Sequence, residues 1–267
     1  MKINNYPLIC IALIAFFGSS CSVNKAQIDN EIKSFFDEKN VEGCFTMLDN
    51  ANGGITVYNM SMDTTRFTPG STFDILHTLI ALQVGAVINE NTPIYISDTI
   101  SADTNKCTIK QAFIKNNTDF FGQISKKIGK ESFQIWLDSI SYGNKKIGEN
   151  LSSFWMNNSL KISPDEQLGF MKKLYFDQLP FRKSVHLSVR DMMVKEDNSA
   201  YKFSYRVGTS INEKHQLVEC LVGWIEENRH VYFMANMIQH KNAQSQSEVV
   251  NVTKKILEHY GFFKGTK

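Results

Sequence analysis

A serine that opens a helical run is the first residue in this chain whose placement could do chemistry. Pro69-Gly70-Ser71-Thr72-Phe73-Asp74 precedes apolar positions at Leu79, Ile80, Leu82 and Val84. A hydroxyl at a helix start lies beside free amides and the positive end of the helix dipole, which suits a nucleophile. The same position suits an ordinary N-cap. Ser71 with Asp74 three residues on has the form of a capping box, with Asp in place of the usual Glu or Gln. In that arrangement the Ser71 hydroxyl accepts from the Asp74 amide and the Asp74 carboxylate accepts from the Ser71 amide. Further polar groups follow at Asn116-Asn117-Thr118, Tyr142-Gly143-Asn144 and Arg206-Val207-Gly208-Thr209. Each also has a structural reading: Gly143 and Asn144 suit a turn, and Trp155 and Trp224 suit a core or a cleft wall. The six histidines show no ligand spacing with acids or cysteines, so no metal and no cofactor is implied.

The elements that must position these groups can be read from periodicity. Ile28, Ile32, Phe35 and Phe36 fall near helical spacing and predict an N-terminal helix. Cys44–Leu48 and Ile55–Tyr58 are strand-like around the turn formers Asn50, Asn52, Gly53 and Gly54, which predicts a hairpin. From about residue 76 to 180 the pattern is helical. Strand character returns at Tyr201–Thr209, Gln216–Glu226 and Arg229–Gln239, and Val249, Val252, Ile256 and Leu257 mark a closing helix. This order predicts a mixed α/β (α+β) fold: an antiparallel sheet of about five strands flanked by the N- and C-terminal helices, plus an inserted helical lobe. A single domain over 31–267 is expected, with a sheet lobe from 31–75 and 181–267 and a helical lobe from 76–180.

The first stretch is of another kind. Lys2 supplies a positive start and Pro7–Phe17 is almost wholly apolar, ending at Gly18-Ser19-Ser20-Cys21. A run of that length is too short for a bilayer span, which takes roughly twenty residues, but it suits a secretory signal. Residues 1–20 are therefore expected to be a signal peptide and 21–30 a polar tether. Small residues before Cys21 resemble the lipobox of bacterial lipoproteins, although Gly18 stands where a leucine is usual. That resemblance implies lipidation at Cys21 and an exported protein anchored to a bacterial membrane, facing the periplasm; a plain signal peptide cut nearby is the other reading. Cys44, Cys107 and Cys220 show no metal or disulfide spacing, so buried, inert thiols are expected. The net charge is only +2, without a long basic run, which disfavours a nucleic-acid partner.

Taken in order, the motifs resemble class D β-lactamases of the serine penicillin-recognising family. The segment from Pro69 to Gly85 matches that family's active-site helix, where S-T-F-K supplies the nucleophile and a carboxylated lysine. Ser141-Tyr142-Gly143-Asn144, Phe154-Trp155-Met156, Leu160-Lys161-Ile162-Ser163, Tyr205–Thr209, Val222-Gly223-Trp224 and Val231–Asn236 follow at compatible spacing, so the likeness covers roughly residues 42–263. It implies that Ser71 is the acylated nucleophile toward a β-lactam or peptidoglycan-like amide. It also implies that Tyr142, Trp155, Val207, Gly208 and Thr209 line the substrate cleft, with the amides of Ser71 and Thr209 forming the oxyanion hole.

Several family positions are altered here. Asp74 replaces the modifiable lysine, Asn116 stands for a serine, Arg206-Val207-Gly208 stands for K-T-G, and Val249 occupies the position of a carboxylate-binding arginine. Asn116 relays a proton less readily than a hydroxyl, and a planar guanidinium is not equivalent to an ammonium. A carboxylate one methylene from the backbone also reaches less far than a carboxylated lysine. Weak or absent hydrolysis is the expectation, with a non-catalytic module for a cell-wall fragment, β-lactam or protein partner as the other reading.

Overall fold

A computed structural model describes residues 26–97, 104–241 and 247–267; the expected signal peptide and Cys21 lie outside the described residues. In chain order the elements are β1 (Ala26–Ile28), α1 (Lys33–Asp37), β2 (Glu42–Asp49), β3 (Ile55–Tyr58), α2 (Met60–Asp63) and, after a 3-10 turn at Gly70–Phe73, α3 (Asp74–Gln83). Then come β4 (Ile94–Ser97), β5 (Thr104–Cys107), α4 (Ile109–Lys115), α5 (Thr118–Ile128), α6 (Lys130–Ser139), α7 (Pro164–Tyr175) and α8 (Lys183–Met193). The chain closes with β6 (Val194–Asp197), β7 (Tyr201–Ile211), β8 (Leu217–Glu227), β9 (His230–Gln239) and α9 (Val249–His259).

The main sheet runs β1-β3-β2-β9-β8-β7-β6, seven strands rather than about five. The five expected strands form its centre, and the two additional ones are its edges. At one edge Ala26–Ile28, inside the segment expected to be a tether, pairs in parallel with Ile55–Val57. That pairing takes Ile28 out of the expected helix, which shortens to Lys33–Asp37. At the other edge β6 pairs with Lys202–Ser204 through a bulged register. A hairpin of β4 and β5 interrupts the helical middle of the chain.

The centre of the sheet is covered on both faces. Register places Cys44, Met237 and Cys220 in one row across β2, β9 and β8. With Val222, Trp224 and Phe233 they share one core with α3, α5 and α7. The opposite face carries Phe45, Leu221, Met234 and Ile238 against Phe36 of α1 and Val252 and Ile256 of α9. Each such aliphatic or aromatic side chain contributes roughly 1.5–3 kcal/mol on burial.

Two buried acids tie down the C-terminal segment. Glu219 accepts from His240 Nε2 at 2.6 Å and from the Glu248 amide at 3.0 Å, fixing the approach to α9. Glu227 accepts from the amides of Phe263 and Thr266, each at 2.9 Å. The β8–β9 turn carries Asn228 and Arg229 at φ 47° and 65°, the left-handed pair that matches the twist of a tight hairpin.

Candidate functional site

Ser71 lies in the 3-10 turn Gly70–Phe73 that leads into α3, pressed against β7. Two glycines make that contact possible. Gly70 has φ +55°, and a Cβ there would lie 2.2 Å from the Thr209 carbonyl oxygen. A Cβ on Gly208 would lie 2.3 Å from the Pro69 oxygen and 2.5 Å from the Thr72 nitrogen. Only residues without a side chain let the turn and the strand meet backbone to backbone. Hydrogen bonds then fix the turn: Gly70 N donates to Trp155 O at 3.1 Å, Thr72 Oγ1 to Pro69 O at 2.8 Å, and Ser210 Oγ to Thr68 O at 3.2 Å.

Phe73 anchors the turn from below. Its ring stacks on Trp155 at 5.7 Å and meets Phe154 and Tyr142 edge-on at 5.2 and 5.7 Å, with His77 tilted at 5.7 Å. Trp155 is fully buried and Tyr142 is 2% exposed. Both therefore lie beneath the Ser71 turn, the core reading of the sequence in the case of Trp155.

The electrostatic centre is a buried ion pair between Asp74 and Arg206, each 2% exposed. Arg206 Nη2 donates to Asp74 Oδ2, Nε to the Ser71 carbonyl at 3.0 Å, and Nη1 to the Phe113 carbonyl. Its guanidinium carbon also lies 4.2 Å from the centre of the Phe113 ring. A planar fork can make these three bonds in different directions at once, which a lysine could not copy. The Ser71 hydroxyl lies close enough to the Asp74 carboxylate to favour its charged form. Burial pushes the Asp74 carboxyl up to about 6, opposed by Arg206 and by the Ser71 hydroxyl. Burial likewise lowers Arg206, against the pull of Asp74.

This geometry overturns the expected capping box. Phe73 precedes α3 without a side-chain cap, and the Asp74 carboxylate turns to Arg206. Leaving the buried guanidinium unpaired would cost about 3–5 kcal/mol, more than the roughly 1 kcal/mol that a cap contributes.

The remaining site candidates divide. Gly208 and Thr209 adjoin the Ser71 turn, since the Gly70 Cβ position lies 2.8 Å from the Thr209 nitrogen. Val207 is half-buried and packs toward the terminal-helix face. Val249 is buried in that same core at the start of α9. Asn116 is exposed at the C-cap of α4 with φ 54°, next to Asn117, which caps α5 by accepting from the Phe120 amide at 3.0 Å. Asn116 reaches the site only through its helix, whose Phe113 carbonyl holds Arg206.

Sequence reasoning missed Phe113 and His77. A backbone acceptor such as the Phe113 carbonyl leaves no mark in side-chain patterning. His77, fully buried one turn beyond Asp74, lies 3.3 Å through Nε2 from Ser125 Oγ, and burial lowers it to about 3. It is therefore neutral at physiological pH. Its spacing of three residues from Asp74 was the available signal.

Comparison with known proteins matches the geometry. The family model described as "Penicillin binding protein transpeptidase domain" matches residues 43–258. "Probable beta-lactamase YbxI" of Bacillus subtilis (strain 168) is 30% identical over 244 residues, covering 90% of this chain and 86% of that protein. Among solved structures, FUS-1 (OXA-85), a class D β-lactamase from Fusobacterium nucleatum subsp. polymorphum, superposes with a TM-score of 0.83 at 25% identity, covering 89% of this chain and 100% of that one. The C-terminal domain of the Bacillus licheniformis BlaR penicillin-receptor gives 0.82 at 25% identity, covering 89% and 97%.

Proposed function

The chain belongs to the penicillin-binding transpeptidase-domain family, in its class D β-lactamase-like branch, and on that premise we propose that it recognises β-lactam or peptidoglycan-like amides and is acylated at Ser71 without efficient turnover. The observation that carries this reading is the buried Asp74 carboxylate, paired with Arg206 beside the Ser71 hydroxyl.

In the proposed acylation, Ser71 Oγ forms an ester bond to the amide carbonyl carbon and the carbon–nitrogen bond breaks. Asp74 takes the hydroxyl proton, which ends on the departing nitrogen. A carboxyl titrating near 6 is ionised at neutral pH and close to the range suited to a general base. The adjoining amides of Ser71 and Thr209 receive the developing negative oxygen, a contribution of roughly 3–4 kcal/mol per donor. Deacylation needs the same carboxylate to activate a water. Asp74 is 2% exposed and held by Arg206, so it offers a water little access, and the ester persists. Such a domain behaves as a receptor more than as a hydrolase, in line with its likeness to the BlaR penicillin-receptor domain.

A second reading, binding without a covalent bond, is favoured by the burial of Ser71 itself, which is 7% exposed. Labelling of the full chain with a fluorescent penicillin decides between them. Acylation predicts a stable label that Ser71→Ala abolishes; reversible binding without label supports the second reading.

Export and lipidation at Cys21 belong to the same proposal. They rest on the apolar run Pro7–Phe17 ending at that cysteine, and they set the domain on a bacterial membrane facing the periplasm. Metabolic labelling with a lipid precursor should mark the protein, and Cys21→Ser should lose the mark.

A further inference from the structure

Away from Ser71, a groove of about 420 Å³ runs between α7, the β2–β3 hairpin and the turn after α6. Its volume lies in the range of small-molecule sites, roughly 300–1,000 Å³. Leu48, Ile55, Ile140, Ile162, Leu168 and Leu179 form the apolar part of its wall. Along α7, Gly169, Lys172 and Lys173 lie three and four residues apart, so they share one helix face beside the groove.

Two features of this face point to a ligand. Gly169 occupies the middle of a twelve-residue helix, where glycine costs roughly 1 kcal/mol relative to alanine. No crowding explains it, since a Cβ there would meet nothing within 4 Å. Second, neither Lys172 nor Lys173 has an acidic partner among the described residues. The nearby Glu166 is already committed, accepting from Arg66 Nε and the Ser163 amide, each at 2.9 Å; Asp165 is the other acid of the rim.

We propose that this groove is a second ligand site for a small anionic amphiphile, with its apolar chain between the hairpin and α7 and its anionic head at Lys172 and Lys173. The carboxylate of a medium-chain fatty acid has that chemistry. The site is independent of acylation at Ser71. It lies close to that turn all the same, because Tyr142 meets Phe170 of α7 edge-on at 5.3 Å and Phe73 at 5.7 Å.

Calorimetric titration of the full chain with decanoate tests the assignment. Decanoate should bind with a dissociation constant below about 1 mM, and decanol, of equal length but uncharged, at least roughly fivefold more weakly. Gly169→Leu fills the groove from a position with open space, so it should fold and weaken decanoate at least about tenfold. The Lys172→Ala/Lys173→Ala pair should abolish the preference for decanoate over decanol. Undetectable binding at about 1 mM, unchanged affinity in Gly169→Leu, or equal affinity for decanol would each overturn the site. Penicillin labelling of Gly169→Leu keeps the two readings apart, because loss of the decanoate site should leave labelling at Ser71 at the parental rate.

Discussion

Replacing Asp74 by asparagine keeps the shape of the side chain and removes its charge, leaving Arg206 in the core without a counter-ion. Breaking a buried ion pair from one side typically costs about 3–5 kcal/mol, because the surviving charge stays desolvated. Arg206 keeps two carbonyl acceptors, on Ser71 and Phe113, and the face of the Phe113 ring. The loss should therefore fall near the lower end, about 3 kcal/mol. For a domain of this size each kcal/mol moves the midpoint by roughly 2–4 °C, which predicts a Tm lower by about 6–12 °C. Urea unfolding at pH 7.5 of the parent, Asp74→Asn, Arg206→Met and the double variant forms a complete cycle. The double variant should recover part of the loss, since with both charges gone no charge is stranded in the core. A helix cap predicts only about 1 kcal/mol and no coupling to position 206. A loss below about 1 kcal/mol, or additive effects of the two substitutions, would refute the ion-pair account.

Three further outcomes follow from the same structure. If Asp74 accepts the Ser71 proton, penicillin labelling should rise with pH to a plateau with its midpoint near 6, and Asp74→Asn should remove that dependence. Restoring the lysine of the family motif with Asp74→Lys should not restore turnover; it sets a second buried cation against Arg206 and should lower the Tm further than Asp74→Asn does. Asp63 is 2% exposed, and burial, with Asp165 nearby, pushes it up to about 7. The folded state thus holds that proton more tightly than the unfolded chain, so this group's contribution is full below about pH 4 and is lost as pH rises through 7. Each pH unit across that window is worth roughly 1.4 kcal/mol. Asp63→Asn should accordingly raise the Tm relative to the parent at pH 8 and lose that advantage at pH 4.

Much of this architecture is legible in the chain because it is locally encoded. The β2–β3 hairpin announces itself through turn formers between alternating runs, and the Ser71 turn through Pro69, Gly70 and the apolar helix behind it. The edge strands β1 and β6 are too short, at three and four residues, for alternation to register. The parallel partner of β1 also lies far along the chain. Asp74 shows the limit most clearly. Its local context reads as a cap, while its actual partner stands 132 residues away on β7. No local pattern reports that charge. The burial of Tyr142 was equally invisible, because it depends on Phe73 gathering rings from several helices and loops around itself.

The central claim is that Ser71 takes up an acyl group and keeps it. Intact-mass measurement of the full chain after exposure to benzylpenicillin, followed by removal of the free drug and a timed chase, tests it most directly. The account predicts a mass increase equal to one penicillin, absent in Ser71→Ala and persisting through hours of chase. No adduct on the parent chain, an adduct that survives Ser71→Ala, or one that disappears within seconds with release of hydrolysed drug would contradict it.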